Sequence, residues 1–307
     1  MQSEPTPTAP PTTHRPLWLF VSGLLMGSAD IVPGVSGGTM AFILGIYEDL
    51  LDAVHHSGVA ALTLLRTRLR TGFHHIPWKF IIPLGLGIGA AIFSLAEGLH
   101  WLLETHPTYI WSFFFGLVLG SVIVVRKRIP IWQPAHLLLA AAFSVGAFLL
   151  VGLIPVNTPD TPLYLFLSGA LAICAMILPG ISGAFILVLL GKYDAVLRAV
   201  ISLDLLTLGL VGAGAVAGLL SLARVLRWTF NRHRDWTIAA LVGLMLGSLR
   251  KLWPWKSFTT LEDGYLHELN LLPARMDGEV LGAVLLALAG FGVVLLIETL
   301  AKRRQPA

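Results

Sequence analysis

The sequence Asp30-Ile31-Val32-Pro33-Gly34-Val35-Ser36-Gly37-Gly38-Thr39 interrupts an apolar run that extends from Leu17 to Leu51. A second interruption, Ile177-Leu178-Pro179-Gly180-Ile181-Ser182-Gly183-Ala184, lies in the apolar run from Leu163 to Leu190. Each contains a Pro-Gly-x-Ser-Gly step. This step predicts a break in a helix, because proline lacks an N–H donor and glycine frees the backbone. Aligning the two prolines makes about half of roughly thirty positions agree, which indicates an internal repeat.

Composition indicates an integral membrane protein. Of the 307 residues, 56% are hydrophobic and only 12% are charged, whereas a soluble domain carries about 25% charged residues. The formal net charge is +4, but the basic residues cluster in loops between apolar runs, which favours contact with anionic lipid over binding of nucleic acid. The single cysteine, Cys174, lies in an apolar arm and predicts neither an internal disulfide nor a metal site.

The order of the segments predicts an all-α integral membrane fold of two inverted repeats. Residues 1–16 are rich in Pro and Thr and predict a disordered tail, and residues 17–154 and 155–307 form the first and second repeats of one transport domain. Each repeat begins with two arms of about a dozen residues around its break. Such arms are too short to cross a bilayer, so we predict two re-entrant hairpins that meet near the membrane midplane. The six predicted spans are Phe80–Glu97, Tyr109–Val125, His136–Ile154, Leu205–Val225, Trp236–Leu249 and Val280–Leu300.

Three spans per repeat is an odd number, so the second repeat enters the membrane from the opposite side. The repeats also share Gly116-Leu-Val-Leu-Gly120-Ser121 and Gly243-Leu-Met-Leu-Gly247-Ser248, a spacing that favours close packing of helices. By the positive-inside rule, the C-terminus and the basic clusters at 126–128, 224–234 and 302–304 are predicted to be cytoplasmic. The N-terminus is predicted on the same side because the first hairpin is taken to return to the side from which it entered. Arg250, Lys251 and Lys256 then lie on the outer side, against the rule.

The two breaks are the candidate substrate site. A helix that begins just after Gly34 or Gly180 directs free N–H groups and a positive dipole end at the break, which suits an anion. Hydroxyl groups at the breaks could add donors. The candidate residues are Pro33, Gly34, Ser36, Gly37, Gly38, Thr39, Pro179, Gly180, Ser182 and Gly183. The alternative is that Pro-Gly only kinks the helices for packing.

Three charged residues complete the candidate site. Asp30 lies in an apolar arm beside the first break, where it could take up a proton during transport or cap the helix that follows. Arg250 and Lys251 precede Trp253-Pro254-Trp255, a segment suited to the level of the lipid head groups. These two side chains either bind a phosphate group at the outer surface or anchor the helix end among lipids.

The sequence predicts no catalytic residue, metal site or cofactor. The pairs His55-His56 and His74-His75 have no carboxylate or cysteine to complete a metal-ligand set. No Ser-His-Asp pattern, Gly-rich nucleotide loop or pair of catalytic carboxylates is present.

Three stretches resemble the polyprenyl-phosphate transporter family. They are Gly27-x-Ala29-Asp30-Ile-Val-Pro-Gly-Val-Ser-Gly-Gly-Thr39, the stretch Ile177–Tyr193, and Gly247-Ser-Leu-Arg-Lys-Leu-Trp-Pro-Trp255-Lys256. The resemblance implies a multi-pass protein of a bacterial or archaeal plasma (inner) membrane. It also implies return of undecaprenyl phosphate, or a related polyprenyl phosphate, from the outer to the inner leaflet, where the carrier is reused for cell-envelope polymers. The partners would be this lipid phosphate, membrane lipids and a coupling proton or cation, with no nucleic acid.

Two alternatives use similar breaks. A membrane polyprenyl-pyrophosphate phosphatase carries a related Pro-Gly-x-Ser loop, but arginine typically follows it and a glutamate-rich motif accompanies it. Here glycine follows both Ser36 and Ser182, and no clustered glutamates lie in the arms. A small-anion channel or exchanger could use the same helix ends.

Overall fold

Twelve helices and one two-stranded β-hairpin make up the described part of the chain. The computed structural model describes residues 14–32, 35–66, 76–156, 158–260, 266–273 and 275–304. Almost all of the tail predicted at 1–16 lies outside these ranges, as do Pro33 and Gly34 of the first break.

The elements of the first half are α1 (Pro16–Ile31), α2 (Gly37–Ile43), α3 (Tyr47–Arg66), α4 (Trp78–Thr105), α5 (Pro107–Arg126) and α6 (Pro134–Leu150). Those of the second half are α7 (Pro162–Ile177), α8 (Gly183–Leu189), α9 (Tyr193–Ser202), α10 (Leu205–Arg232), α11 (Arg234–Ser248), β1 (Lys256–Thr260), β2 (Leu266–Asn270) and α12 (Gly278–Arg304).

Four helices, α4, α5, α10 and α12, are long and apolar enough to cross a membrane. They correspond to four of the six predicted spans. The other two, α6 and α11, have 17 and 15 residues, fewer than the ~20 that a perpendicular span requires. Helix α6 ends at Leu150, before Ile154 where its predicted span ended, because Pro155 has no N–H to donate to the carbonyl of Val151 and its ring would clash with that carbonyl. The short helices α6 and α11 pack against each other.

Helix pairing repeats in the two halves. Helix α1 packs against α4 as α7 packs against α10, and α5 packs against α12 as α11 packs against α6. The paired glycines lie in these contacts: a Cβ at Gly116 would lie 1.8 Å from the carbonyl oxygen of Ala287, and one at Gly243 would lie 2.3 Å from that of Ala140. The shared Gly-x-x-x-Gly spacing is therefore a packing surface, because only glycine permits this approach of the backbones.

Each break is followed by a short helix that folds back on the helix before it. Helix α2 packs against α1, and α8 packs against α7. Both short helices have seven residues, fewer than the predicted arms, because a turn with positive φ at Gly45 (75°) or Gly191 (66°) stops them. The chain then starts new helices, α3 and α9, at Tyr47 and Tyr193.

A β-hairpin departs from the predicted all-α fold. Strands β1 and β2 pair antiparallel, with Lys256 opposite Asn270 and Phe258 opposite Glu268. The hairpin lies between α11 and α12, where the sequence predicted a polar outer loop. Its Ser-Phe-Thr-Thr segment favours extended backbone. The hairpin was not predicted because its strands are too short to show a clear alternation of apolar and polar residues. The correction is local, and no sheet forms a core in the described residues.

Candidate substrate site at the two helix breaks

The two breaks contact each other inside the protein. The Ser36 hydroxyl donates to the carbonyl oxygen of Met176 at 2.7 Å, and the Gly180 N–H donates to the Thr39 hydroxyl at 3.0 Å. The Tyr47 hydroxyl also donates to the carbonyl of Ile177 at 3.3 Å. The backbones are so close that a Cβ at Gly38 would lie 2.3 Å from the oxygen of Ile177. We call these contacts the break junction.

In the first break, the chain's own groups bind the first N–H donors of α2. The Gly37 N–H donates to Asp30 Oδ1 at 2.7 Å, and the Gly38 N–H donates to the Ser36 hydroxyl at 3.1 Å. The capping contact proposed for Asp30 is therefore present, whereas its protonation during transport stays a prediction. An anion that binds here must compete with the Asp30 carboxylate.

The second break is less enclosed. All seven residues of α2 are buried, but only Gly183, Ile186 and Leu189 are buried in α8. Ser182 is buried yet makes no capping hydrogen bond, unlike Ser36. The Pro179-Gly180 turn itself is held closely, because Gly180 has φ +93° and a Cβ there would lie 2.7 Å from Ser248 Oγ.

Arg250 and Lys251 lie at the end of α11, each with contacts to other elements. Arg250 Nη1 donates to the carbonyl of Phe148 at 2.9 Å, and its guanidinium lies 4.5 Å from the centre of the Phe148 ring. Arg250 therefore fastens the end of α11 to that of α6. Lys251 Nζ bonds Glu268 Oε1 at 2.5 Å and lies 5.0 Å from the centre of the Phe185 ring. Because Phe185 is three residues after Ser182, Lys251 adjoins the helix that follows the second break.

Ion pairs at the other end of the bundle connect the basic clusters to α2 and α3. Arg234 pairs with Glu48 at 2.8 Å, and Arg227 pairs with Asp52 at 2.5 Å. Arg128 donates to the carbonyl of Phe42 at 3.0 Å, so a cation lies at the C-terminus of α2, where it is favourable. The basic residues predicted to be cytoplasmic thus surround the end of the first hairpin.

The break junction brings four of the predicted site residues into contact, and the others lie beside it or apart from it. Ser36, Gly38, Thr39 and Gly180 are in direct contact, Asp30 and Gly37 adjoin them, and Ser182 and Gly183 follow the Pro179-Gly180 turn. Arg250 and Lys251 lie at the end of α11, and Pro33 and Gly34 are outside the described residues.

Three residues were not among the predicted site residues: Tyr47, Lys256 and Glu268. Tyr47 could have been found, because it aligns with Tyr193 in the repeat. In the described ranges, no three His, Cys, Asp or Glu side chains are arranged to hold a metal ion.

Comparison with known proteins identifies relatives along nearly the whole chain. A "Polyprenyl-phosphate transporter" of Vibrio cholerae serotype O1 is 42% identical over 304 residues, which cover 95% of this chain and 99% of the relative. A protein of the same name from Staphylococcus aureus is 30% identical over 259 residues, which cover 77% and 86%. No solved structure matches the chain significantly. The family described as "Undecaprenyl phosphate translocase-like" matches residues 26–265, and the chain belongs to this family.

Proposed function

We propose that this protein is a membrane transporter that returns undecaprenyl phosphate, or a related polyprenyl phosphate, from the outer to the inner leaflet. Both relatives described above are named as polyprenyl-phosphate transporters, not as enzymes. The observation that carries the proposal is the break junction, where two interrupted helices with hydroxyl and backbone donors meet inside an apolar bundle. In transporters, interrupted helices of this kind surround substrate sites.

The proposed arrangement is two inverted repeats, residues 17–154 and 155–307, in the plasma membrane with both termini cytoplasmic. Contacts at the ends of the hairpins support it. The entry to α1 lies at the basic end, where His14 contacts Asp49 at 2.9 Å. The exit from α8 lies at the other end, where the Val156 N–H donates to the carbonyl of Leu189 at 2.9 Å.

The proposed path of the phosphate runs from the outer end to the junction. Lys251 receives the head group and passes it along α8 to Ser182 and Gly183. Transfer across the junction then requires the hydroxyls of Ser36 and Thr39 to exchange their present partners for phosphate oxygens. The remaining predicted residues at the two breaks form the backbone around this path. Arg250 holds the ends of α11 and α6 together at the outer end of the path through the hydrogen bond to Phe148.

The isoprenoid tail stays in lipid beside α8. This helix exposes Val188, 40% of whose surface is accessible, and is the less buried of the two short helices. An exposed apolar face next to the path lets the tail remain in hydrocarbon while the head group crosses, so the cost of moving a long apolar chain through water is avoided.

Asp30 is the proposed site of a coupling proton or cation. Its carboxylate holds the Gly37 N–H at 2.7 Å, a donor that a phosphate oxygen would otherwise take. Neutralising Asp30 weakens that hydrogen bond and lessens repulsion of the incoming dianion. Replacement by Asn removes the charge and keeps a neutral acceptor for the Gly37 N–H, so it imitates the neutral state of Asp30.

The proposal is tested by mass spectrometry of lipid that is retained by the purified protein. We expect a polyprenyl monophosphate on the wild type and less of it on Lys251→Gln. The control is Lys127→Gln, which removes the same charge from a half-exposed lysine at the other end of the bundle. Absence of such lipid from the wild type would contradict the proposal, and release of inorganic phosphate from polyprenyl diphosphate would favour a phosphatase.

A further inference from the structure

Two lysines at the outer end share one carboxylate. Lys251 Nζ lies 2.5 Å from Glu268 Oε1, and Lys256 Nζ lies 3.3 Å from Glu268 Oε2. The side chains of Lys251, Lys256 and Glu268 are only 13%, 3% and 30% exposed. We call these three residues the lysine–glutamate cluster. With both lysines charged, the charges of these three residues add to +1, and within the described residues neither lysine has an ion pair other than the one with Glu268.

Aromatic rings and a backbone carbonyl fix the position of the cluster. Lys256 Nζ lies 4.2 Å from the centre of the Trp111 ring and donates to the carbonyl of Lys251 at 2.6 Å. Lys251 Nζ lies over a different ring, that of Phe185 near the start of α8. Lys256 is therefore held in place, whereas Lys251 faces the helix that carries the second break.

Burial and the neighbouring charges together shift the pKa values of Lys256 and Glu268. Burial lowers the pKa of Lys256 to about 8, although Glu268 opposes this shift. Burial raises the pKa of Glu268, but the two lysines outweigh it and bring the value below its ordinary one. Burial is the larger cause at Lys256, and the charge of Lys251 adds to the lowering there and also lowers the pKa of Glu268, as a net positive cluster requires.

We propose that Glu268 holds the place of the lipid phosphate: a phosphate monoester displaces its carboxylate from Lys251, while Lys256 retains it. This inference rests on the proposed function and adds the residue with which the substrate competes. Without substrate, the Glu268 carboxylate bonds both lysines and neutralises one of their two positive charges. A phosphate monoester carries up to two negative charges and three terminal oxygens, so it forms stronger charge-assisted hydrogen bonds with Lys251.

The test is binding of polyprenyl phosphate to the purified protein in detergent. Glu268→Gln removes the competing charge and keeps the shape of the side chain, so we expect about tenfold tighter binding. Its thermal midpoint without lipid should fall, because two buried ammonium groups then lack a carboxylate, and saturating lipid should restore it. The control Glu104→Gln removes a carboxylate that pairs with His100 and is 65% exposed, and we expect its affinity to be unchanged.

Two further variants keep the test decisive if Glu268→Gln folds poorly. Glu268→Asp withdraws the carboxylate by one methylene, so it should bind the lipid more tightly than the wild type but less tightly than Glu268→Gln. Lys256→Met brings the sum of charges to zero and should weaken lipid binding, because no excess positive charge remains. Equal or weaker binding by both Glu268 variants, with folded protein, would overturn the inference.

The outcomes also separate this inference from the proposed function. If the wild type binds no polyprenyl phosphate, the proposed function fails. If the wild type binds this lipid and loss of the Glu268 charge does not tighten binding, only the proposed competition between Glu268 and the lipid phosphate fails. Inorganic phosphate is titrated in parallel, and if it binds as tightly as the lipid, the cluster recognises free phosphate and a lipid ligand is overturned.

Discussion

Adding one methyl group at Gly38 should open the break junction. In Gly38→Ala the new Cβ would lie 2.3 Å from the carbonyl oxygen of Ile177, whereas carbon and oxygen normally stay at least about 3.3 Å apart. The two breaks must therefore separate by about 1 Å, which would stretch the 3.0 Å hydrogen bond between Gly180 and Thr39 beyond bonding range. Overpacking costs about 1–3 kcal/mol and a lost hydrogen bond about 1 kcal/mol, so we expect a loss of roughly 2–4 kcal/mol at the junction.

The matched control is Gly85→Ala in α4, where a Cβ meets nothing within 4 Å. Both variants are measured by thermal unfolding in detergent and by transport of polyprenyl phosphate in liposomes. Gly38→Ala should unfold at a lower temperature and transport slowly, and Gly85→Ala should match the wild type or be slightly more stable, because alanine favours a helix over glycine. Equal behaviour of the two variants would refute a tight junction with a role in transport.

Three other perturbations have defined outcomes. Ser36→Ala should lower the free energy of unfolding by about 2 kcal/mol, because it leaves the Gly38 N–H without its acceptor inside the protein. The control Ser121→Ala changes an equally buried serine whose hydroxyl bonds within its own helix, and it should be nearly neutral. Equal losses of stability in the two variants would contradict this prediction. The pKa of Lys256 is about 8 in the folded protein and 10.5 in a model peptide. Between these two pH values the unfolded chain binds more protons than the folded protein, so the free energy of unfolding should rise with pH. Lys256→Met should flatten that rise, and an unchanged slope in this variant would contradict the prediction. In a cysteine-free variant, a single cysteine at Lys127 should react with thiol reagents only from the cytoplasm and one at Asp160 only from outside, and labelling of both from one side would exclude opposed hairpins.

The sequence predicted the breaks because proline and glycine act locally. The Pro179-Gly180 turn needs positive φ at the glycine, a requirement that is visible in the residue type alone. The ends of the short arms were harder to predict. Gly45 has apolar residues directly before and after it, and the residue type alone does not show that its φ is positive and that a turn precedes α3.

The difference between the two breaks depends on contacts that no local motif encodes. Both contain Pro-Gly-x-Ser-Gly, yet Ser36 caps its helix and bonds Met176, while Ser182 makes no capping hydrogen bond. The lysine–glutamate cluster was missed for a similar reason. Lys256 and Glu268 are twelve positions apart and meet only because a β-hairpin pairs their strands, a pairing that neither residue reveals locally.

Transbilayer movement of polyprenyl phosphate in liposomes tests the proposed transport most directly. Purified protein is reconstituted with labelled lipid, and a membrane-impermeant phosphatase is added outside. With wild-type protein, we expect hydrolysis to continue beyond the outer-leaflet pool, because lipid from the inner leaflet becomes accessible, and Gly38→Ala should slow this second phase. Hydrolysis that stops when the outer leaflet is exhausted, as in liposomes without protein, would contradict transport by this chain.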